Sequence, residues 1–174
     1  MPVDSGLVVY DSGSGHIVLS AGAQTLPQDA GHVLLPLARA AIATQLGLSH
    51  TASEDPPWLK MNGACFITLT RESRLRGCVG TLRAHRALSE DVKANAVAAA
   101  FRDPRFPPLA AGELSAVALE ISVLSALEPV RFSDEPDALR QLRAGVDGVV
   151  FEYGHHTGTF LPQVWEEFKE PTDF

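Results

Sequence analysis

Of 174 residues, 45% are hydrophobic and 20% charged, enough apolar matter for one compact domain or two small lobes sharing a core, which excludes a fibrous or disordered chain. A formal net charge of -7 argues against a nucleic-acid surface, which needs clustered Lys and Arg, and no apolar run approaches the ~20 residues of a membrane span. The opening stretch MPVDSGLVVYDSGSG has no basic, apolar leader, and the two cysteines, Cys65 and Cys78, follow no disulfide or zinc-finger spacing, so the expectation is a cytoplasmic chain with reduced thiols.

In chain order, residues 7–10 (LVVY) and 16–19 (HIVL) flank DSGSG, a turn composition that predicts a small hairpin or a flexible arm. Residues 29–47 read as a first helix, capped by Asp29 and stopped by Gly47, with Leu34, Leu37, Ala38, Ala41, Ile42 and Leu46 near helical spacing. Pro36 inside it implies a late start or a kink. Residues 48–62 predict an ordered loop anchored by Trp58, Leu59 and Met61. Two strands, 64–70 and 75–81, then form an antiparallel hairpin across residues 71–74.

Residues 88–101 are helical by pattern and rich in alanine, with Leu88, Val92, Asn95 or Ala96, Ala99 and Ala100 on one side and Pro104 ending the run. Residues 117–125 alternate as a half-buried strand does. A short helix over 136–144, a hairpin from strands 147–153 and 157–161, and a last helix opened by Pro162 complete the order. The result is an α+β fold, an antiparallel-rich mixed sheet with flanking helices. A helix followed by a strand pair occurs twice, which leaves a two-lobed duplication open.

Charge is distributed unevenly. Residues 71–105 hold eight bases against four acids, a positive block in an acidic chain that suits a local anion site. At its centre lies LRGCVG. On a strand, Arg76, Cys78 and Gly80 share a face. A nearby guanidinium favours the thiolate, while apolar burial opposes it. Gly77 and Gly80 leave room for a ligand or another backbone and can offer amides to an anion. The alternative is that Cys78 is a small buried hydrophobe and the glycines relieve packing against a helix.

A four-residue turn would set Ile67 opposite Cys78 and Cys65 opposite Gly80, with both thiols on one face but too far apart to bridge. A thiol nucleophile generally needs a base. His85 is the nearest in sequence; His155 and His156 sit at a hairpin tip, and Glu120 and Glu152 lie in strands, where an outward-facing carboxylate is the ordinary outcome. Neither His16 nor His32 has diagnostic spacing, and Cys78, Cys65 and a histidine show no metal-ligand spacing. Asp103 and Arg105 follow the second helix, where Arg105 can join Arg76 around an anion, pair with Asp103, or cap the helix. No nucleotide fingerprint, Walker loop, GxSxG elbow or HExxH occurs.

GACFITL, LRGCVGTL, Asp103 with Arg105 and Phe106, LEISVLSALEPV, GVDGVVFEY and TFLPQVWEE stand in the order seen in the AMMECR domain family, whose microbial members are the AmmeMemoRadiSam system protein A group. The resemblance runs from residue 27 to 174, leaving 1–26 as an extension or hairpin, and its hallmark is matched by Leu75, Arg76, Gly77, Cys78, Val79 and Gly80. The chain departs from the pattern at Cys65, where a larger apolar residue is common, and stops before the usual final helix. The resemblance implies an α+β protein with its Arg-Gly-Cys segment near a cleft, and a setting shared with a Memo-like protein and a radical SAM enzyme. It names no reaction and no cofactor.

Two functional readings follow. As an enzyme or accessory factor, the chain would use Cys78 as nucleophile, Arg76 as activator, His85 or Arg105 as an auxiliary group, and Gly77, Gly80, Asp103 and Arg105 around an anionic small molecule or modified protein. As a binding module, the same patch would dock an acidic partner.

Overall fold

The computed structural model describes residues 7–11, 17–18, 26–124, 133–143, 147–153 and 156–160. Strands β1 (Leu7–Asp11) and β2 (Ile17–Val18) form the expected hairpin, with Val8 opposite Val18. It does not stand apart, for β1 also pairs with β6 (Val117–Leu124) along its whole length. The sheet order is β2-β1-β6-β3-β4, with β3 spanning Asn62–Arg71 and β4 spanning Arg74–Gly80. A two-residue strand, β5 (Arg86–Ala87), pairs with the start of β3, and β7 (Val149–Tyr153) with β8 (His156–Phe160) makes a separate hairpin. Every pairing among the described residues is antiparallel, as an α+β fold requires.

Two helices, α1 (Gly31–Gln45) and α2 (Leu88–Phe101), cover one face of this sheet. Their apolar positions, Leu34, Leu37 and Ile42 from α1 and Val92, Ala96 and Ala99 from α2, meet Cys65, Ile67 and Leu69 of β3 and Leu119 and Ile121 of β6 in a single core. The alternate positions of β3, Phe66, Thr68 and Thr70, turn to the opposite face, where they are only half-buried. The alanines of α2 let it lie close to β3 and β4.

Local chemistry explains where expectation and structure part. Asp29 does not cap α1: its backbone carbonyl, not its carboxylate, takes the His32 N–H, and Ala30 already has helical φ and ψ. Pro36 lies inside the helix, which continues past it, while Gly47 at φ 73° ends it as expected. In the following loop Leu59 and Trp58 reach the core, but Met61 is 48% exposed and anchors nothing. A short helix, α3 (Glu135–Gln141), is capped by Asp134, whose side chain accepts the Asp137 N–H. The expected last helix from Pro162 lies outside the described residues.

The hairpin that carries Cys78 is tighter than expected. Glu72 and Ser73 both have positive φ, 52° and 62°, and form a two-residue turn; such turns follow the twist of the strands they join. A bulge between Leu69 and Thr70 on one side and Gly77 and Leu75 on the other then leaves Arg76 unpaired. Cys78 therefore faces Thr68, not Ile67, and Gly80 faces Phe66, not Cys65. One residue of slip moves a strand's side chains to the other face, so Cys65 points into the core and Cys78 away from it.

Candidate functional site

As a residue of the edge strand β4, Cys78 has both its backbone polar groups turned away from β3, and the loop after α2 meets them. Asp103 accepts the Cys78 N–H through Oδ2 at 2.8 Å, and Arg105 donates from Nη2 to the Cys78 carbonyl at 3.2 Å. The two clamping side chains are themselves joined, with Arg105 Nε 3.0 Å from Asp103 Oδ1 and Nη2 2.7 Å from Oδ2, while the Arg105 N–H reaches Oδ1 at 3.1 Å. Asp103, Pro104 and Arg105 thus stand in for one residue of a missing neighbouring strand and close an edge that would otherwise invite pairing. Asp103 is buried and Arg105 half exposed, so the ion pair points its positive end outward.

The Arg105 guanidinium holds the Asp103 carboxyl well below the usual carboxylate range, helped by the Cys78 and Arg105 N–H groups against the cost of burial. In turn Asp103 holds Arg105 up against the cost of its own burial, and Cys78 adds to the effect. A carboxylate with a depressed pKa contributes stability that is whole above its unfolded value, about 3.9, and is lost as pH falls through its folded value. Asp103→Asn is therefore expected to cost about 2 kcal/mol at neutral pH, the worth of a hydrogen bond to a charged group. The gap from wild type should narrow below about pH 4, which urea unfolding at neutral and acid pH measures.

Arg76 is committed to partners other than the thiol. Its Nε and Nη2 grip Glu113 at 3.2 and 3.1 Å, and its Nη1 donates to the Pro107 carbonyl at 3.0 Å. Only 11% of its side chain is exposed. Glu113 also accepts from Arg71 and from the Ala110 N–H, each at 3.0 Å, and the Arg76 guanidinium above all pulls its pKa down to about 2. Arg76 braces the 103–113 segment against the hairpin. His85 lies exposed in the turn after β4, its ring Nδ1 3.1 Å from the Arg83 carbonyl; its partner is local, not the thiol.

The glycines are set by packing. A Cβ on Gly77 would sit 2.2 Å from the Ala99 carbonyl oxygen of α2, and one on Gly80 would strike the Phe66 ring at the same distance. These contacts favour the packing alternative for the glycines.

Cys78 itself is half-buried on the face away from the helices. Its Sγ lies 3.4 Å from Thr68 Oγ1, where either group can donate, and Thr68 is paired on its far side with Glu120. A thiol, a hydroxyl and a carboxylate thus occupy one row across β4, β3 and β6. Two shallow hollows of about 250 and 270 Å3 lie elsewhere, along α1, and Cys78 lines neither.

On the helix side sits a polar cluster that the sequence reading missed. Asp91 has no exposed surface and accepts the Cys65 N–H at 2.8 Å and the Asn95 amide at 3.0 Å through Oδ2, and the Thr81 hydroxyl at 2.9 Å and Arg86 Nε at 2.8 Å through Oδ1. Asn95 also donates to the Cys65 carbonyl and to Thr81. Burial, with the Asp91 charge beside it, pushes the Cys65 thiol up, which leaves it protonated and inert.

This edge clamp and hairpin fall inside a stretch, residues 35–173, that matches the AMMECR1 family model. The chain belongs to the AMMECR1 family. Among AMMECR1 relatives, a protein of Saccharolobus islandicus is 37% identical over 152 residues, 83% of this chain and 67% of its own. One of Methanothermobacter thermautotrophicus is 36% identical over 146 residues, 82% of this chain and 76% of its own. A crystal structure of an uncharacterised protein from Pyrococcus horikoshii superposes with a TM-score of 0.77 at 32% identity, covering 86% of this chain and 77% of that one. No helix among the described residues of this AMMECR1 chain is long and apolar enough to cross a membrane.

Proposed function

We propose that this AMMECR1 chain works through the Cys78 thiol, as an enzyme or an accessory factor that acts on a small molecule or a modified protein in a setting shared with a Memo-like protein and a radical SAM enzyme. The observation that supports it is the placement of the sulfur: half-buried on the face away from the helices, 3.4 Å from a hydroxyl, on a residue whose carbonyl takes the Arg105 guanidinium. The clamp fixes the cysteine backbone at its N–H and its carbonyl at once, so the sulfur is presented by a rigid strand, as a reacting group must be. Arg105 takes the part that the sequence suggested for Arg76.

Alkylation by iodoacetamide, read by mass spectrometry, tests this. Cys78 is expected to react about tenfold faster than free cysteine at about pH 7, as a partly exposed cysteine in an electropositive setting does. Cys65, fully buried, serves as the silent internal standard. A Cys78 rate equal to that of free cysteine would overturn the reading.

The binding-module alternative draws on Arg74 and Arg102, which are exposed on the turn of the hairpin and at the end of α2. It requires association with an acidic partner that weakens with salt. Binding that survives Cys78→Ser and is lost with Arg74→Ala and Arg102→Ala together would favour it.

A further inference from the structure

We infer that Arg105 is the specificity-determining residue of the Cys78 site, and that the electrophile Cys78 takes carries an oxyanion, a carboxylate or a phosphate, which the outer edge of that guanidinium holds. This rests on the thiol reading above and adds the substrate class to it.

The guanidinium is fixed rather than free. Nε and Nη2 are bound to Asp103, and Nη2 also reaches the carbonyl of Cys78 itself, so anchor and nucleophile are tied through one backbone group. Its central carbon lies over the Phe106 ring, 5.6 Å from the ring centroid, a further constraint on its position. Among the described residues Nη1 has no hydrogen-bond partner, and 54% of the side chain is open to solvent. An immobilised fork with its remaining donors turned outward is what bidentate or charge-assisted recognition of an oxyanion uses, and immobility spares most of the rotamer entropy that a free arginine loses on binding.

Asp103 does not cancel this. Its carboxylate is buried beneath the guanidinium and satisfied by the Cys78 and Arg105 N–H groups, so the pair presents a dipole with its cationic end to the approaching ligand. The other arginine of the Arg-Gly-Cys segment cannot compete for the role, since all three nitrogens of Arg76 are taken by Glu113 and Pro107. Cys78 with Arg105 therefore sets a half-buried thiol beside a cation that keeps an unpaired donor edge, whereas Cys65 is sealed in the core.

Iodoacetate and iodoacetamide are nearly equal in size and differ in charge, so the ratio of their rates at Cys78 isolates the anchor. In either reaction the sulfur–carbon bond forms as the carbon–iodine bond breaks, iodide leaves with the bonding pair, and the thiol proton goes to solvent. A free thiol reacts more slowly with the anionic reagent. Wild type is expected to reverse that preference, with a ratio about tenfold above free cysteine, as one charge-assisted contact would give.

Arg105→Gln should return the ratio to the free-cysteine value, whatever it does to the separate rates, and Arg105→Lys should keep part of it. Protection of Cys78 by inorganic phosphate but not acetate would mark the group as a phosphate, and the reverse as a carboxylate. A wild-type ratio equal to that of free cysteine, or one that Arg105→Gln leaves unchanged, overturns the inference. Fast iodoacetamide labelling in that case would leave the thiol reading standing, whereas slow labelling by both reagents would sink the thiol reading itself.

Discussion

Gly77→Ala is expected to destabilise the protein by about 3 kcal/mol or more, at the upper end of what overpacking a well-filled interior costs. The added methyl would lie 2.2 Å from the Ala99 carbonyl oxygen and 3.1 Å from its carbon. Both are backbone atoms of a helix, so relief requires α2 to move off β4 rather than a side chain to rotate. That movement would pull on Asp103 and Arg105, which follow α2 directly and hold Cys78. Loss of stability should therefore come with slower Cys78 alkylation in the folded state. Gly112→Ala is the control: its added Cβ meets nothing within 4 Å, and an exposed substitution of that kind stays within about 0.5 kcal/mol. Thermal unfolding of the two variants side by side checks the contrast, and equal stabilities would refute the close approach of helix and strand.

The fold was legible where hydrophobic period and helix stops act locally. The second helix begins and ends where its alanine-rich pattern and Pro104 place it, and Gly47 ends the first helix by its positive φ. What the sequence could not supply was register. Glu72 and Ser73 turn the chain alone, yet Thr70 still stands opposite Leu75 as a four-residue turn would set it, and it is the bulge beyond that pair which decides the face Cys78 occupies. The bulge at Arg76 is equally silent in the sequence, because nothing in LRGCVG says that one residue goes unpaired.

Charge told a partial story for a related reason. The positive block was visible, but a guanidinium is committed by its partners, and those partners lie far along the chain: Glu113 for Arg76 and Arg71, Glu54 for Lys93. Two partners lie near in sequence, Asp103 two residues from Arg105 and Asp91 five from Arg86, and the first of these the sequence did suggest. Much of the local basic excess therefore works inside the fold, which leaves Arg105 facing outward at the clamp and Arg74, Arg83 and Arg102 exposed elsewhere in the block. The spacing that could have revealed the buried cluster is Asp91 and Asn95, one helical turn apart and on the same side as Leu88, Val92 and Ala99. Two polar residues on the inward stripe of a helix have to be satisfied by what the helix packs against.

That cluster carries the other large effect. Asp91→Ala would strip the acceptor from the Cys65 N–H, the Asn95 amide, the Thr81 hydroxyl and the Arg86 guanidinium together. The Cys65 N–H and the Asn95 amide are buried and would be left without that partner. Arg86, with 31% of its side chain exposed, can still turn to water. Removing one partner of a buried ion pair costs about 3 to 5 kcal/mol, which for a chain of this size lowers the melting temperature by roughly 10 °C. Asp91→Asn keeps the volume but sets an amide donor against donors, so it should recover less than half of the loss. If both variants melt within about 2 °C of wild type, a shift worth less than about 1 kcal/mol, then α2 is held to β3 by its alanines alone. In that event the Thr81 end of the Cys78 strand owes nothing to the carboxylate beneath it.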